Sequence, residues 1–399
     1  FKQKTAYEIS TRDWSSDVCS SDLVVEGLRE RGHHLQLVRP RRTREDRPRR
    51  SEHFVETLVL GLPIPNYPQL RMGLPATRLL ASQWRAAPPD IVHIATEGPL
   101  GWSALRAARQ LRLPVTSDFR TNFHAYSRHY GIGWLERPIV GYLRRFHNRS
   151  AFTMVPTEAL RRTLEAEGFE RLNVVARGVD TQRFQPLRRS EALRRQWGLA
   201  AGEKAVVCVG RLAAEKNLDV LVEAFTAMRA AGGAHKLVLV GDGPLADDLR
   251  QRVPDAVFAG LRRDEDLAAH YASADLFLFP SLTETFGNVT PEAMASGLPV
   301  LAFDYAAAAQ LIRSGDNGLL APFADRATFV RLALELGADP ARAACLGEAA
   351  RRTAEAMDWQ EIVRQIEDVF LAAMAGTARR PALVDRKSTR LNSSHEWIS

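Results

Sequence analysis

The chain has 399 residues, of which 45% are hydrophobic and 25% are charged, and its formal net charge is +7. This composition is typical of soluble globular proteins, and at about 150 residues per domain the length predicts two or three domains. No apolar run approaches the ~20 residues that a membrane-spanning helix requires. The three cysteines lie far apart, without metal-ligand spacing or a disulfide framework, so we expect a reducing, cytoplasmic compartment.

The two ends of the chain differ from the rest. Residues 1–23 are polar, lack helical or alternating periodicity, and resemble sequencing-adapter sequence translated into protein. Within the tail of residues 377–399, the part from residue 386 resembles a second such fragment. We therefore expect both adapter-like segments to lie outside the native fold.

A first domain is predicted over residues 24–180, where short apolar runs alternate with amphipathic stretches. The domain begins with a helix, although a doubly wound domain normally opens with a strand. Because the adapter-like segment stands in that place, we expect the opening strand to be missing and a central position of the sheet to be empty or badly filled. The predicted strands are residues 35–39, 91–95, 115–119, 152–156 and 174–176.

Residues 39–50 contain seven arginines. The plain interpretation is a solvated, mobile loop. The alternative is attraction to anionic lipid headgroups, at about 1 kcal/mol per basic residue near the surface. That alternative predicts a protein bound peripherally to the inner face of the plasma membrane. No recognition motif for nucleic acid accompanies the arginines.

A glycine and a proline that follow a strand, within residues 177–186, mark the predicted domain boundary. The second domain is predicted over residues 181–358, and residues 359–376 are predicted to form a helix that packs back across the junction. Two series of alternating strands and helices predict two doubly wound, Rossmann-like α/β domains that face each other across a cleft. The second set of predicted strands is residues 206–210, 237–241, 257–259, 276–280 and 300–303.

The turn after the first strand of the second domain contains Arg211 and Lys216. Two cations at the carboxyl end of a parallel strand are well placed to bind a diphosphate, with Arg as a planar fork and Lys as a point charge. The Gly-Lys-Ser/Thr signature of a Walker loop is absent. The plain alternative is a solvated Arg–Glu–Lys cluster.

Residues 264–266, Asp-Glu-Asp, have the form of a metal-binding Asp-x-Asp. They directly precede a predicted helix, so helix capping and acids that complement the first turn are the stronger interpretation.

Two glutamates, Glu284 and Glu292, follow a buried strand and have seven residues between them. A short helix is predicted around the second glutamate, with Thr290 as its N-cap and Gly297 as its stop. Glu292 then lies in the first turn, where free backbone N–H groups attract anions. The plain alternative is that Glu292 only complements the helix dipole. Two cations and two carboxylates together predict a ligand with diphosphate and hydroxyl groups, such as a nucleotide sugar.

These motifs resemble those of the retaining GT-B glycosyltransferases of family 4, over about residues 24–374. In the first half, residues 97–101 (Glu-Gly-Pro-Leu-Gly) and 121–126 (Thr-Asn-Phe-His-Ala-Tyr) resemble the bacterial branch of GDP-mannose-dependent α-mannosyltransferases. The motifs of the second half are Gly210-Arg-Leu-Ala-Ala-Glu-Lys216, Gly241-Asp-Gly-Pro244 and Glu284-Thr-Phe-Gly-Asn-Val-Thr-Pro-Glu292.

The resemblance implies a role for each donor-site residue. Arg211 and Lys216 would hold the diphosphate and stabilise the charge on the leaving group, and Glu292 would accept hydrogen bonds from the ribose. Glu284 would bind hydroxyls of the transferred sugar. The glutamates are then not an acid/base pair, since a nucleoside diphosphate leaves as a stable anion and a glycosidase pair must flank one bond at about 5–9 Å. Further donor-binding residues are Gly210, Phe286, Gly287 and Asn288.

In the first domain, the resemblance implies that His124 contacts the donor sugar at the reacting centre. The alternative is a histidine satisfied by local hydrogen bonds. Glu97 and Arg120 are expected to shape the acceptor site. No metal and no cofactor are expected, because the cations of the second domain supply the positive charge.

The predicted function is retaining transfer of a hexose, mannose from GDP-mannose, to a hydroxyl of a lipid-linked or glycan acceptor. One alternative is a transferase that uses ADP- or UDP-glucose and a soluble acceptor. Another is a nucleotide-binding scaffold without turnover, which the altered N-terminus makes plausible. The expected partners are the nucleotide sugar, the acceptor and an anionic membrane surface, but not nucleic acid.

Overall fold

The structure is a computed structural model that describes residues 5–9, 24–64, 67–119, 136–200, 202–357 and 359–378. The described residues form one sheet of eight strands, one of six, and a two-stranded hairpin. Helices connect successive parallel strands in both large sheets, as the alternating sequence pattern predicts.

The first sheet has the strand order β10-β9-β8-β7-β1-β2-β4-β3. All neighbouring strands pair in parallel except β3 with β4. Its strands are β1 Thr5–Ile9, β2 His34–Pro40, β3 Arg50–Ser51, β4 Phe54–Val59, β7 Ile91–Ile94, β8 Val115–Asp118, β9 Phe152–Val155 and β10 Leu172–Val174. The helices of this half are α1 (residues 24–30), α2 Thr77–Ala86, α3 Pro99–Gln110, α4 Glu136–His147 and α5 Glu158–Ala166.

The central position of this sheet is occupied by β1, which pairs with β2 on one side and with β7 on the other. Of the two expectations for this position, empty or badly filled, the first is wrong, because a stretch of the adapter-like segment supplies a strand. The expectation that the native opening strand is missing stays a prediction. The origin of residues 1–23 and the bounds of the two domains stay predictions.

The hairpin of β5 Gly61–Ile64 and β6 Tyr67–Gly73 was missed by the sequence prediction. Residues 61–73 are rich in glycine and proline, which argues against a central strand but permits an edge hairpin. The strand expected at residues 174–176 lies two residues earlier, at Leu172–Val174. Its pairing with β9 ends at the hydrogen bond from the Val175 N–H to the Val155 carbonyl, at 2.9 Å.

The second sheet has the order β13-β12-β11-β14-β15-β16, with all pairs parallel. Its strands are β11 Lys204–Val209, β12 His235–Val240, β13 Val257–Gly260, β14 Leu276–Phe279, β15 Val300–Phe303 and β16 Leu319–Ala321. The helices are α6 Glu191–Gln196, α7 Leu218–Ala230, α8 Ala246–Arg252, α9 Asp264–Ala272, α10 Val289–Ala295, α11 Ala306–Leu311, α12 Arg326–Ala338 and α13 Pro340–Glu355.

The last described helix, α14 Trp359–Ala378, follows the second sheet in the sequence but packs against the first. Its residues Ile362, Val363 and Phe370 share one apolar core with Val24 and Leu28 of α1. The ring of His93, on β7, lies 5.4 Å from that of Phe370. Within the described ranges, no helix combines the length and the apolar character needed to cross a bilayer.

Arg351 of α13 fixes the segment that joins the two sheets. Its guanidinium donates to the carbonyls of Thr181 at 3.1 Å and Phe184 at 2.7 Å. The same group donates to the carbonyl of Ala295 at the end of α10, at 2.6 Å. One half-buried side chain therefore ties the connecting segment to the short helix that contains Glu292.

Replacement of Arg351 by Met is expected to lower the free energy of unfolding by about 3 kcal/mol, because hydrogen bonds from a charged donor to carbonyls are lost. The exposed neighbour Arg352, replaced by Met in the same way, is the matched control and should stay within about 0.5 kcal/mol of the parent. Urea unfolding followed by circular dichroism measures both. Equal stabilities of the two variants would contradict this assignment.

Candidate functional site

The predicted donor residues lie in the loops at the carboxyl ends of β11 and β14, which are neighbours in the second sheet. After β11, a single 3-10 turn, Ala214–Lys216, leads into α7. Asn217 between them adopts a left-handed conformation with φ of 53°, which Asn tolerates better than most residues. The loop after β14 leads into α10. This edge of the sheet is where doubly wound domains bind ligands.

Close backbone contacts hold the turn after β11. Gly210 donates its N–H to the Val240 carbonyl at 2.9 Å, and Leu212 donates to the Asp242 carbonyl at 2.9 Å. A Cβ atom added to Gly241 would lie 1.9 Å from the Gly210 carbonyl oxygen, so only glycine fits there. The Gly-Asp-Gly motif at residues 241–243 therefore positions the cationic turn.

Arg211 forms an ion pair with Glu215, whose side chain is completely buried. The side chains of Arg211 and Lys216 are 18% and 11% exposed. The alternative of a solvated Arg–Glu–Lys cluster is therefore wrong. A buried carboxylate holds the Arg211 guanidinium in place, and sequence reasoning did not assign Glu215 this role.

Lys216 and Glu284 are brought into direct contact, although 67 residues separate them in the sequence: the Lys216 Nζ donates to the Glu284 Oε1. The Ser281 hydroxyl donates to the same oxygen at 2.7 Å. The Lys216 Nζ also lies 5.5 Å from the centre of the Phe279 ring, within cation–π range. The first glutamate of the pair thus lies beside one of the predicted phosphate-binding cations.

The loop that contains Glu284 is fixed through its backbone. The Tyr305 hydroxyl donates to the Glu284 carbonyl at 3.0 Å, and the Ala307 N–H donates to the Phe286 carbonyl at 2.7 Å. Gly287 has φ of 90°, a conformation that favours glycine. Contacts from the turn after β15 therefore determine the shape of this loop, which short-range sequence patterns do not indicate.

The helix after the loop differs from the prediction at its start. It spans Val289–Ala295 with Asn288 at the N-cap position and no side-chain cap, so Thr290 is a buried helical residue and not the cap. The predicted stop is confirmed, since Gly297 adopts φ of 77°. Glu292 lies in the first turn, is 4% exposed, and accepts a hydrogen bond from the Tyr271 hydroxyl at 3.0 Å.

Two of the charged groups, Lys216 and Glu284, lie near Cys208, a buried residue of β11, and Tyr271 connects Cys208 to Glu292. Burial raises the pKa of the Cys208 thiol to about 12, while Lys216 and Glu284 act on it electrostatically in opposite directions. Burial also raises the pKa of the Tyr271 hydroxyl, and the Glu292 carboxylate and the Cys208 thiol add to that effect. Both glutamates and the lysine therefore belong to one site.

Asp264, Glu265 and Asp266 occupy the first turn of α9, where their charges complement the helix dipole. The prediction that one of these acids caps the helix is wrong, because the N-cap residue is Arg263 and no side chain caps the helix. Asp266 instead pairs with Arg262 at 3.0 Å. Within the part of the chain that the structure describes, no group of three His, Cys, Asp or Glu residues could hold a metal ion.

On the first domain, Glu97 lies between β7 and α3 and is 5% exposed. Its carbonyl accepts a hydrogen bond from the Tyr142 hydroxyl of α4. His124 and Arg120 lie outside the described residues, as does the motif at residues 121–126 that contains His124. The positions of these two side chains relative to the donor residues stay predictions.

The arginine-rich residues 39–50 are not simply a solvated loop. Arg39 is buried and pairs with Asp46 at 2.6 Å and with Glu56 at 3.2 Å, and Arg49 pairs with Glu56 at 3.1 Å. The Arg39 guanidinium holds the pKa of the Asp46 carboxyl well below its usual range. Two of the seven arginines therefore stabilise the fold.

Comparison with known proteins identifies the family. A model of glycosyl transferases group 1 matches residues 203–339, and a model of glycosyltransferase family 4 matches residues 22–183. The chain belongs to glycosyltransferase family 4. It is similar to a GDP-mannose-dependent alpha-mannosyltransferase of Mycobacterium tuberculosis, with 39% identity over 75% of this chain and 78% of that protein.

Two further comparisons concern a second mannosyltransferase and the fold. A GDP-mannose-dependent alpha-(1-6)-phosphatidylinositol monomannoside mannosyltransferase of Mycobacterium tuberculosis is 29% identical over 86% of this chain and 83% of its own. The structure of sucrose-phosphate synthase from Thermosynechococcus elongatus matches with a TM-score of 0.76 at 19% identity, over 94% of this chain and 100% of that one. The predicted GT-B fold and the predicted class of enzyme, a hexosyltransferase, are confirmed.

Glu215→Ala is expected to lower the free energy of unfolding by about 3 kcal/mol, because it leaves the half-buried Arg211 guanidinium without its carboxylate. Glu335→Ala is the matched control, since Arg331 and Glu335 form an exposed pair at the same i,i+4 spacing and should contribute no more than about 0.5 kcal/mol. Chemical denaturation measures both variants. A loss for Glu215→Ala as small as that of the control would show that burial of the pair has no energetic consequence.

Proposed function

We propose that this enzyme transfers mannose from GDP-mannose to a hydroxyl of a lipid-linked or glycan acceptor, with retention of the anomeric configuration. The observation on which the proposal depends is that the Lys216 ammonium contacts Glu284 at the carboxyl edge of the second sheet, one turn from Arg211. The choice of GDP-mannose is supported by the relative that is 39% identical.

Lys216 and Arg211 are the groups that would bind the donor diphosphate. In the structure both cations pair with carboxylates, Lys216 with Glu284 and Arg211 with Glu215. Glu215 is buried and remains the partner of Arg211, whereas the Lys216 ammonium is free to exchange Glu284 for a phosphate oxygen. This exchange places one ammonium and one guanidinium on the leaving group and releases the Glu284 carboxylate.

The released Glu284 carboxylate would then accept hydrogen bonds from hydroxyls of the sugar. Backbone groups of Phe286, Gly287 and Asn288 lie in the same loop and complete this contact. Glu292 accepts from Tyr271 through Oε2, and we assign its other oxygen to the ribose hydroxyls. Each carboxylate therefore binds polyol groups and neither transfers a proton in the reaction.

The chemistry that follows is electrostatic. The bond between the anomeric carbon and the diphosphate oxygen breaks, and the bonding pair leaves with the diphosphate. Fixed cations that face this developing charge stabilise the transition state more than the ground state. The acceptor oxygen attacks from the same face, and its proton passes to the departing phosphate, which gives retention.

The acceptor side is assigned to the first domain. Glu97, in the turn between β7 and α3, and Arg120 are proposed to shape the acceptor site, and His124 is proposed to contact the transferred sugar. A lipid-linked acceptor is supported by the similarity to the phosphatidylinositol monomannoside mannosyltransferase of Mycobacterium tuberculosis. A soluble glycan is the alternative acceptor.

Transfer from a panel of GDP-, UDP- and ADP-sugars to bacterial lipid extracts, analysed by mass spectrometry, tests the proposal. We expect a hexose to be added to a lipid only with GDP-mannose, and the anomeric proton of the product to show the α configuration of the donor. Transfer from UDP- or ADP-glucose alone would refute the donor assignment. Binding of nucleotide without any product would favour a non-catalytic scaffold.

Removal of divalent metal ions is expected to leave the rate of transfer unchanged, because Arg211 and Lys216 supply the positive charge on the leaving group. The measurement is the initial rate after dialysis against EDTA, compared with the rate after magnesium or manganese is added back. A rate that falls on dialysis and recovers on addition would contradict the proposal.

A further inference from the structure

A cavity of about 230 Å³ lies at the amino edge of the second sheet. Lys204, His235 and Leu276, which line it, are the first residues of β11, β12 and β14. The donor residues follow the carboxyl ends of β11 and β14. Since β11 has six residues at about 3.3 Å each, the cavity lies roughly 15–20 Å from the donor site. We call it the amino-edge cavity.

Most of the cavity wall is apolar. Its larger apolar side chains come from β14, the turn before β15, the end of α12 and the start of α13, and they are Leu276, Leu298, Pro299, Leu336 and Pro340. An apolar protein cavity of ~150 Å³ is large enough to bind benzene. The amino-edge cavity therefore has room for a ring of that size together with a small polar group.

The wall also carries one positive charge that the fold does not balance. Arg189 lines the cavity but pairs with Asp275 at 3.0 Å and with Glu191 at 3.3 Å. Arg194 pairs with the same two carboxylates, at 2.8 and 3.8 Å, so these four groups are neutral together. Lys204 is half-buried and forms no ion pair with any described residue. Its ammonium is therefore suited to a ligand with a single negative charge.

Two uncharged polar side chains complete the wall. His235 is 6% exposed, and burial lowers the pKa of its imidazole, so the ring carries no charge at neutral pH. Ser296 is buried, and its hydroxyl has no hydrogen-bond partner within the part of the chain that the structure describes. Buried polar groups without a partner are rare in folded proteins, and a ligand oxygen would satisfy this one.

The backbone connects the cavity to the helix that contains Glu292. Ser296 follows α10 directly and donates its N–H to the Glu292 carbonyl at 3.0 Å. Ala274, which also lines the cavity, donates to the Tyr271 carbonyl at 3.0 Å, and the Tyr271 hydroxyl donates to Glu292. A ligand in the cavity would therefore contact the end of α10 opposite the donor site.

We propose that the amino-edge cavity binds a small organic monoanion, a carboxylate on an apolar ring, and that this ligand strengthens donor binding. The apolar wall surrounds the ring, and the Lys204 ammonium and the Ser296 hydroxyl donate to the carboxylate. A ligand that restrains Ser296 keeps α10 and its Glu292 in place before the nucleotide arrives, which lowers the ordering cost of binding. The effect on the donor rests on the proposed function, whereas binding of the anion does not.

Ligand-observed NMR titration of the full chain with benzoate, and with benzamide as its uncharged analogue, tests the site. Lys204→Met is expected to weaken benzoate binding by about 10- to 100-fold, the loss of one charge-assisted contact, and to leave benzamide binding unchanged. Lys236→Met is the matched control, because Lys236 lies at the same sheet edge but does not line the cavity. Ala344→Phe narrows the cavity and should abolish binding of both probes, whereas Ala341→Phe on the same helix should not.

Titration calorimetry with GDP measures the effect on the donor. Saturating benzoate should tighten GDP binding by about fivefold in the parent and leave it unchanged in Ala344→Phe. Equal benzoate affinity in Lys204→Met and the parent, with the fold intact by circular dichroism, or displacement of benzoate by GDP would overturn the site. GDP affinity that benzoate does not raise would overturn the effect on the donor. Absence of GDP binding altogether would refute the proposed function and that effect, while the benzoate titrations still decide the cavity.

Discussion

The contact between Lys216 and Glu284 connects the two loops on which the donor site depends. Lys216 follows β11 and Glu284 follows β14, and these strands are neighbours only because the chain crosses over between them. An ammonium and a carboxylate that are mostly removed from water remain stable only when paired and hydrogen-bonded. Ser281 supplies the additional hydrogen bond. In the structure, Lys216 therefore lies beside Glu284, the carboxylate that we propose binds the sugar.

The surrounding structure restricts how these groups can move. Glu215 is completely buried and keeps the Arg211 guanidinium at the strand end. The turn itself is held by backbone contacts with the Gly241 turn, where a side chain does not fit. Catalysis by fixed charges requires this rigidity, because the charges must face the leaving group before the bond breaks. Lys216, in contrast, has a flexible side chain and can exchange partners.

Much of the fold followed from the sequence because alternating strands and helices leave a clear periodicity. The strand at Val300–Phe303 was predicted with its observed bounds. The occupation of the central position by Thr5–Ile9 could not be predicted, since the polar segment has no strand pattern and pairs only because two parallel edges flank it. Local sequence also failed at Thr290, where burial against the sheet overrides the capping preference.

The sequence indicated the charged residues at this edge of the second sheet, but not the residues that support them. The pair of glutamates with Arg211 and Lys216 has a recognisable spacing, whereas Ser281, Tyr271 and Tyr305 support them from distant positions of the sequence. Glu215 was visible only as part of a charged cluster, and its burial depends on tertiary packing. Contacts of this kind have no local signature, so only the folded structure assigns them.

The central claim is that Lys216 exchanges Glu284 for a phosphate oxygen of the donor, and titration calorimetry with GDP and guanosine tests it directly. Lys216→Met should weaken GDP binding by about 10- to 100-fold, the loss of one charge-assisted contact, and leave guanosine binding unchanged. Lys236→Met on β12 is the matched control and should bind both ligands as the parent does. Unchanged GDP affinity in the Lys216 variant, with its fold intact, would contradict the account.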